Sequence, residues 1–225
     1  MGAVLGDELG FAAGVMISPL PIIAMILILA TPRGRLSGLV FAAGWLVGLS
    51  ALGALTLAIA NPEGASENGQ PATWVGVLKL VIGLLLVLLA LQQWRHRPKD
   101  SSQAELPRWM AAIDQFTPVK IAGLALVLSA ANAKNAGLTI AASAAISASG
   151  IPGGQQIVVL AMFVLIGSLG ILIPLVVFLV AGERARNTLS SWKSWAALHN
   201  AAIMTVLFTV LGMKLLGDGI GILIH

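Results

Sequence analysis

Lys134 is the residue of this chain best suited to bind or transfer charge, because it stands inside a stretch that is otherwise apolar. Asn132 and Asn135 flank it in a run typical of a membrane-spanning helix. An ammonium group at the bilayer centre costs about 2.5–3.5 kcal/mol on insertion scales, so it usually faces protein or a water-filled cavity. Lys134 and the two amides therefore predict a site for an anionic group such as a phosphate, sulfate or carboxylate.

A second role for Lys134 is to exchange a proton during a transport cycle, and the sequence does not separate this role from anion binding. The structural alternatives are a buried ion pair or a side chain that reaches the membrane surface. Lys134 follows Lys120, at the start of the same apolar stretch, by 14 residues. That distance is roughly 20 Å along a helix, which is too deep for an easy reach to the near surface.

The first apolar stretch carries a matching interruption at Ser18-Pro19-Leu20-Pro21. Proline lacks the backbone donor and clashes with the preceding turn, so paired prolines are expected to break or kink the helix. Each interruption falls in the first of three predicted spans in its half of the chain. A duplicated three-span half inserts upside down, and the interrupted helices of such inverted repeats meet near the midplane to form substrate sites. The predicted substrate-binding residues are Ser18, Pro19, Pro21, Asn132, Lys134 and Asn135.

The composition is that of an integral membrane protein. The 225 residues are 58% hydrophobic and 10% charged, and the mean hydropathy is +0.95. Cysteine is absent, which excludes disulfides and thiolate metal sites. No run alternates polar and apolar residues, so an all-α fold of six transmembrane helices is predicted. The predicted spans are 9–30, 36–60, 74–94, 121–147, 155–182 and 199–222.

Lysine and arginine occupy alternate loops between these spans. The positive-inside rule therefore predicts a bacterial plasma-membrane protein whose odd-numbered loops are cytoplasmic and whose N- and C-termini are extracytoplasmic. The same distribution accounts for the net charge of +4 without a nucleic-acid partner. The basic residues are Arg33 and Arg35 in the first loop, Arg95, Arg97, Lys99, Arg108 and Lys120 in the third, and Arg184, Arg186 and Lys193 in the fifth.

The predicted domains are a first three-helix repeat at 1–94, a cytoplasmic linker at 95–120 and a second three-helix repeat at 121–225. In the linker, the apolar residues Trp109, Ile113 and Phe116 are spaced by four and three. This spacing predicts a short amphipathic helix lying on the inner membrane surface. An ordinary solvated linker between the two repeats is the alternative interpretation.

Three charged residues lie toward the outer ends of the third and sixth spans. Lys79 is expected to anchor to lipid headgroups, and Lys214 and Asp218 are spaced for an ion pair within one helix. The alternative is that the three residues form an outer vestibule for anionic groups. No cluster of histidines or carboxylates and no nucleotide-binding glycine loop is found. The sequence therefore predicts no metal, no cofactor and no enzymatic activity.

Four features resemble the lysine-exporter (LysE) superfamily: Ser18-Pro19, the basic turn at 31–35, the glycine-rich second span and the Asn-x-Lys-Asn cluster at 132–135. Within it, the chain is most similar to the GAP family of actinobacteria, which includes the sulfolipid-1-addressing proteins. The resemblance implies two inverted three-helix repeats and outward export. Many members carry Asn-Pro-Lys where this chain has Asn-Ala-Lys, which puts the kink there in question. Serine rather than glycine before Pro19, together with the second proline at Pro21, favours the lipid-associated branch.

The resulting functional hypothesis is a secondary transporter that exports an anionic lipid or glycolipid, or its headgroup, to the outer leaflet. Export of a small amino acid or similar cytosolic solute is the first alternative. The second is a non-transporting membrane scaffold for a lipid synthase or exporter, with residues 107–116 as its docking segment. Membrane lipids are expected partners, proton coupling is compatible with Lys134, and a homodimer or a complex with lipid-export machinery is left open.

Overall fold

The computed structural model describes residues 2–60, 66–67, 70–71, 73–95 and 108–224. These residues are helical apart from turns and a two-residue antiparallel pairing of β1 (Ser66–Glu67) with β2 (Gln70–Pro71), which confirms the predicted all-α class. Short 3-10 segments cover Arg108–Gln115 and Gly182–Ala185, and a π-helical turn covers Val127–Ala131. The helices are α1 Gly2–Met16, α2 Pro19–Leu29, α3 Gly34–Ile59, α4 Thr73–Arg95, α5 Pro118–Leu126, α6 Ala133–Ala148, α7 Gly153–Ala181 and α8 Arg186–Ile224.

The chain is a multi-pass membrane protein. Helices α3, α7 and α8 are each long and apolar enough to cross a bilayer, and the bent pairs α1–α2 and α5–α6 meet the same test as pairs. The described residues therefore contain three spans, or five when each bent pair counts as one. Helix α4 corresponds to the predicted third span but is not among the five, so the six-span count stays a prediction. The predicted sixth span began at 199, whereas α8 begins at Arg186.

Helices α3 and α7 form the middle of the bundle and pack against each other. Gly38 meets Leu175 near one end and Gly53 meets Leu160 near the other, so the two helices are antiparallel. Helix α3 also packs on α5 and α6, while α7 packs on α1 and α2. Each broken helix thus lies against the middle helix of the other half of the chain. Large side chains fill this centre, and those with almost no exposure include Phe41, Trp45, Phe163 and Ile171.

Helices α4 and α8 form a tight antiparallel pair through glycines spaced by seven residues. A Cβ atom on Gly83 would lie 2.9 Å from the carbonyl oxygen of Gly212, and a Cβ on Gly212 would lie equally close to that of Gly83. One at Gly219 would lie 2.9 Å from the carbonyl oxygen of Gly76. Small residues at matching positions let membrane helices approach until their backbones touch. Neither contact was predicted from the sequence.

Substitution of Gly212 by valine is expected to separate α4 from α8, because the new side chain meets backbone atoms that cannot rotate away. Overpacking of this kind costs about 1–3 kcal/mol. Gly217 on the same helix has no heavy atom within 4 Å of the point that a Cβ would occupy, so Gly217→Val is the matched control. Thermal unfolding of the detergent-purified protein should show a lower Tm for Gly212→Val alone. Equal Tm values for the two variants would contradict the close contact.

The described part of the linker packs on the protein. Ile113 is 5% exposed and belongs to the main hydrophobic core, and the partly buried Phe116 packs against the same core. The 3-10 segment that contains Ile113 contacts α2. The Trp109 side chain and residues 96–107 lie outside the described part of the chain. The amphipathic role predicted for Trp109 therefore stays a prediction. Ile113 and Phe116 therefore pack on the protein, and contact of the linker with the membrane surface stays a prediction.

Candidate functional site

The predicted break at the prolines is confirmed between α1 and α2. Pro19 and Pro21 have no backbone N–H to donate to the carbonyls of Val15 and Ile17, four residues earlier. The N–H of Ser18 donates to the Val15 carbonyl at 3.2 Å, which closes a tighter last turn. Ser18 is then extended, at φ −83° and ψ 106°, and the two helices bend by 43°. Ser18, Pro19 and Pro21 are all buried.

The second break, between α5 and α6, is sharper and needs no proline. The π-helical turn ends at Ala131, Asn132 is extended at φ −70° and ψ 119°, and the helices bend by 57°. The Asn132 side-chain oxygen accepts hydrogen bonds from the backbone N–H groups of Lys134 at 3.1 Å and Asn135 at 3.4 Å. Asn132 is therefore the N-cap of α6. The cap takes over the role that proline was expected to play, so the predicted interruption is confirmed.

Asn135 and Lys134 each present an open polar atom at the start of α6. Asn135 is fully buried, and its side-chain NH₂ group donates to the carbonyl of Leu128 across the break at 2.9 Å. Its other polar atom, Oδ1, and the Nζ atom of Lys134 are buried without a hydrogen-bond partner within the described part of the chain. Buried polar atoms are nearly always paired, so a neighbouring open donor and acceptor point to a ligand, an ion or water.

The two breaks lie at the same level of the bundle. Helix α1 packs on α6, and a Cβ atom on Gly14 would lie 2.8 Å from the Leu138 side chain. The glycine contacts place α1 parallel to α7 and α6 parallel to α3, and since α3 and α7 are antiparallel, α1 and α6 are antiparallel too. Ser18 stands one turn beyond Gly14, and Lys134 stands one turn before Leu138. Both steps run in the same direction along the bundle, so Ser18 and Lys134 reach the same level.

Glycines of the central helices contact the last turn before each break. Gly48 of α3 lies against Ser129, three residues before Asn132. Gly170 of α7 lies against the carbonyl of Met16, two residues before Ser18. At both contacts the glycine lets the two helices approach closely. Gly44 and Gly167, four and three residues earlier, pack in the same way on α5 and α1.

A column of buried polar side chains runs along α6 from the break. Asn135, Thr139, Ser143 and Ser147 follow at every fourth residue, and each is at most 1% exposed. Thr139 donates to the carbonyl of Asn135, and Ser147 donates to the carbonyl of Ala60 at the end of α3. The Ser143 hydroxyl, beside Gly53, has no partner among the described residues. The spacing of four was readable in the sequence as one helix face, but the column was not predicted.

Glu8 is a second residue that sequence reasoning missed. It lies one residue before the predicted first span at 9–30, yet it is 3% exposed within α1. Phe11 follows one turn later on the same face, and the Nζ atom of Lys214 lies 5.3 Å from the centre of its ring. The face of α1 that carries Glu8 therefore meets a cation from α8. The spacing of three residues between Glu8 and Phe11 was the sequence signal that places both on one helix face. Glu8 lies ten residues from Ser18, about 15 Å from the level of Lys134.

The outer charges are arranged differently from the pairing predicted within one helix. Asp218 forms an ion pair with Lys79 of α4, with Nζ and Oδ2 3.5 Å apart, so the contact joins two helices. The reason is the close approach of α4 and α8 at Gly76 and Gly219, next to these residues. Both side chains are partly exposed, at 27% and 41%, so the pair contributes little to stability. The outer vestibule of Lys79, Lys214 and Asp218 stays a prediction.

Replacement of Asn132 by alanine is expected to destabilise the start of α6, because two backbone N–H groups lose their acceptor. Loss of an N-cap costs about 1 kcal/mol, and unsatisfied donors cost more at membrane depth. Asn132→Asp is the matched control, since a carboxylate oxygen can accept the same bonds. Hydrogen exchange of the Lys134 and Asn135 amides should accelerate in Asn132→Ala and stay slow in the control. Unchanged exchange in both would show that the cap is dispensable.

Comparison with known proteins relates nearly the whole chain to one family. The family model described as "Sap, sulfolipid-1-addressing protein" matches residues 9–221, a range that includes both helix breaks. The comparison with curated proteins finds no match, and neither does the comparison with solved structures. The match covers far more than half of the chain and agrees with the resemblance drawn from the residues. The chain therefore belongs to the sulfolipid-1-addressing protein family.

Proposed function

We propose that this chain is a secondary transporter that exports an anionic lipid or glycolipid, or its headgroup, across the bacterial plasma membrane. The observation that carries the proposal is the buried Nζ atom of Lys134, which has no hydrogen-bond partner in the described part of the chain and lies beside Asn135 where two broken helices meet. A buried cation that has no counter-ion among the described residues favours an anionic ligand. The family description refers to a sulfolipid, and the headgroup of a sulfolipid is anionic.

The proposed architecture is a pair of inverted three-helix repeats. The first repeat is α1–α2, α3 and α4, and the second is α5–α6, α7 and α8. The middle helix of each repeat packs on the broken helix of the other repeat. A glycine of that middle helix contacts the last turn before the break. Helix α4 has 23 residues, or about 34 Å, enough to cross the hydrocarbon layer as the sixth span.

In the proposed cycle, the headgroup reaches Lys134 from the side of the basic loops and leaves along α6. The ammonium group offsets the charge of a sulfate or phosphate, while Asn135 Oδ1 accepts from a sugar or glycerol hydroxyl. The column from Asn135 to Ser147 then supplies polar atoms toward the end of α6. Acyl chains would stay in the lipid phase. No ATP-binding loop is present in the sequence, so the transport would follow a lipid or proton gradient.

Translocation in proteoliposomes tests the proposal directly. The wild-type chain is reconstituted in neutral lipid that carries a trace of fluorescent phosphatidylglycerol or fluorescent phosphatidylcholine, and flipping is followed by chemical quenching of the outer leaflet. We expect phosphatidylglycerol to flip about tenfold faster than in protein-free vesicles, and faster than phosphatidylcholine. Movement of radiolabelled amino acids without lipid flipping would favour solute export instead. Movement of neither class would favour a scaffold.

The scaffold alternative has less support from the fold than from the sequence. Its docking segment was the amphipathic stretch at 107–116, and Ile113 on that stretch is buried in the protein. The apolar face is therefore partly used inside the chain. Export of a small solute is compatible with the polar atoms at Lys134 and Asn135, and the solute arm of the assay addresses it.

A further inference from the structure

Two adjoining cavities open on the side of the basic loops, where α2 ends, α3 begins and α7 passes to α8. Their volumes are about 220 and 490 Å³, and Phe178 and Arg186 line both. We call the two cavities together the basic groove. The smaller one lies against the last turn of α2 at 26–30, and the larger one against the turn at 31–36.

The lining of the basic groove is amphipathic. Four cationic residues contribute to it, and among the described residues that line it none is acidic. Apolar side chains from α2, α7 and α8 line the smaller cavity, together with the polar residues Asn187 and Ser190. A guanidinium group binds sulfate and phosphate oxygens in pairs, and the apolar surface suits the glycerol and upper acyl region of a lipid. The cations are Arg33, Arg35, Arg186 and Lys193.

Membrane topology alone does not explain this convergence. The positive-inside rule requires basic residues in cytoplasmic loops, but it does not require them to surround a cavity. Arg95 and Lys120 satisfy the rule on other elements without lining the groove. The four cations are thus gathered around one groove and are not spread evenly over the basic loops.

We propose that the basic groove binds the sulfate or phosphate headgroup of an anionic lipid from the inner leaflet, before the headgroup passes to Lys134. This inference rests on the proposed function and adds a loading site to it. Helix α2 joins the two places: the groove lies at its last turn and Ser18, level with Lys134, lies at its start. The helix has 11 residues, so the transfer covers about 16 Å.

Lipid binding to the purified full-length chain in neutral detergent tests the loading site without requiring transport. The probes are dihexanoyl phosphatidylglycerol, dihexanoyl phosphatidylcholine and glycerol phosphate, and native mass spectrometry gives the bound populations. Arg33→Gln/Arg35→Gln removes two exposed cations of the groove, and Lys193→Gln is a second variant at its other end. Arg95→Gln/Lys120→Gln removes the same charge from exposed positions outside it. We expect about tenfold weaker phosphatidylglycerol binding for the groove variants only.

Three results would overturn the loading site. The first is equal weakening by both double variants, which indicates a general basic surface. The second is glycerol phosphate binding as tightly as the lipid, which indicates a site for compact anions. The third is phosphatidylcholine binding as tightly as phosphatidylglycerol. Lys134→Ala removes the cation that the proposed function assigns to the headgroup, so it should lose lipid flipping but keep the part of the phosphatidylglycerol binding that depends on the groove cations. If Lys134→Ala flips no lipid while Arg33→Gln/Arg35→Gln binds phosphatidylglycerol like wild type, the groove fails and the proposed function stands.

Discussion

Replacement of Lys134 by methionine is expected to abolish lipid translocation while leaving the protein at least as stable as wild type. The Nζ atom is buried without a hydrogen-bond partner in the described part of the chain, so its removal breaks no hydrogen bond there. Methionine keeps most of the length of the side chain and removes a charge that is costly at membrane depth. A charged hydrogen bond to the headgroup contributes about 1.5–3 kcal/mol, so the protein-dependent part of the flipping rate should fall roughly 10- to 100-fold, which leaves about the rate of protein-free vesicles.

The combination of the two measurements separates a binding role from a structural one. A lysine that stabilised the fold through an ion pair would lower Tm when replaced, because its partner would be left buried and unpaired. Initial flipping rates and Tm are therefore measured on the same preparations. Lys120→Met, which removes an exposed lysine of α5, is the matched control and should keep the wild-type rate. Lys134→Arg retains the charge and should retain part of the activity.

A lowered Tm together with an unchanged flipping rate for Lys134→Met would refute the assigned role. Lys134 would then be a structural cation, and the site would have to be sought elsewhere along α6. An unchanged rate with an unchanged Tm would remove Lys134 from the transport path but leave the translocation activity itself in place.

The features predicted correctly from the sequence are those that depend on local chemistry. Pro19 and Pro21 break the first span because a missing N–H acts within one turn, whatever the neighbours are. Asn132 was recognised through its polar cluster, and its capping role follows from the same residue type. The π-helical turn before it was not predictable, because no residue in Val127–Ala131 has a known preference for that geometry. The predicted span boundaries agree with the helices except that α1 begins at Gly2 rather than at 9 and α8 begins at Arg186 rather than at 199.

The features that were missed depend on which helices meet. The glycines Gly83 and Gly212 show their role only when α4 and α8 are placed antiparallel in the right register. The ion pair of Lys79 with Asp218 depends on the same register, which residue spacing within α8 cannot reveal. Glu8 lies one residue before the predicted span at 9–30, and its burial is visible only in the packed bundle. Likewise, only the contact between α1 and α6 shows that Ser18 and Lys134 lie at the same level of the bundle.

Substitution of Gly170 by alanine is expected to impair both stability and transport, because it acts on the end of α1 where the first break begins. The added Cβ would collide with the backbone carbonyl of Met16, two residues before Ser18. A backbone atom at a helix end cannot rotate away, so α1 or α7 must shift. Overpacking costs about 1–3 kcal/mol, and a displaced break would move Ser18 relative to Lys134. Thermal unfolding and lipid flipping are the measurements.

Alanine variants of two further glycines allow the expected losses of stability and transport to be ranked. Gly48→Ala would meet the Ser129 side chain, which can adopt another rotamer, so its effect should be smaller than that of Gly170→Ala. Gly137→Ala, three residues past Lys134 on α6, has no heavy atom within 4 Å of its Cβ position and should behave as wild type. The expected order of loss is therefore Gly170, Gly48, Gly137. A larger loss for Gly48→Ala than for Gly170→Ala would contradict this order. It would show that Ser129 cannot move aside and that the second break is more sensitive to packing than the first.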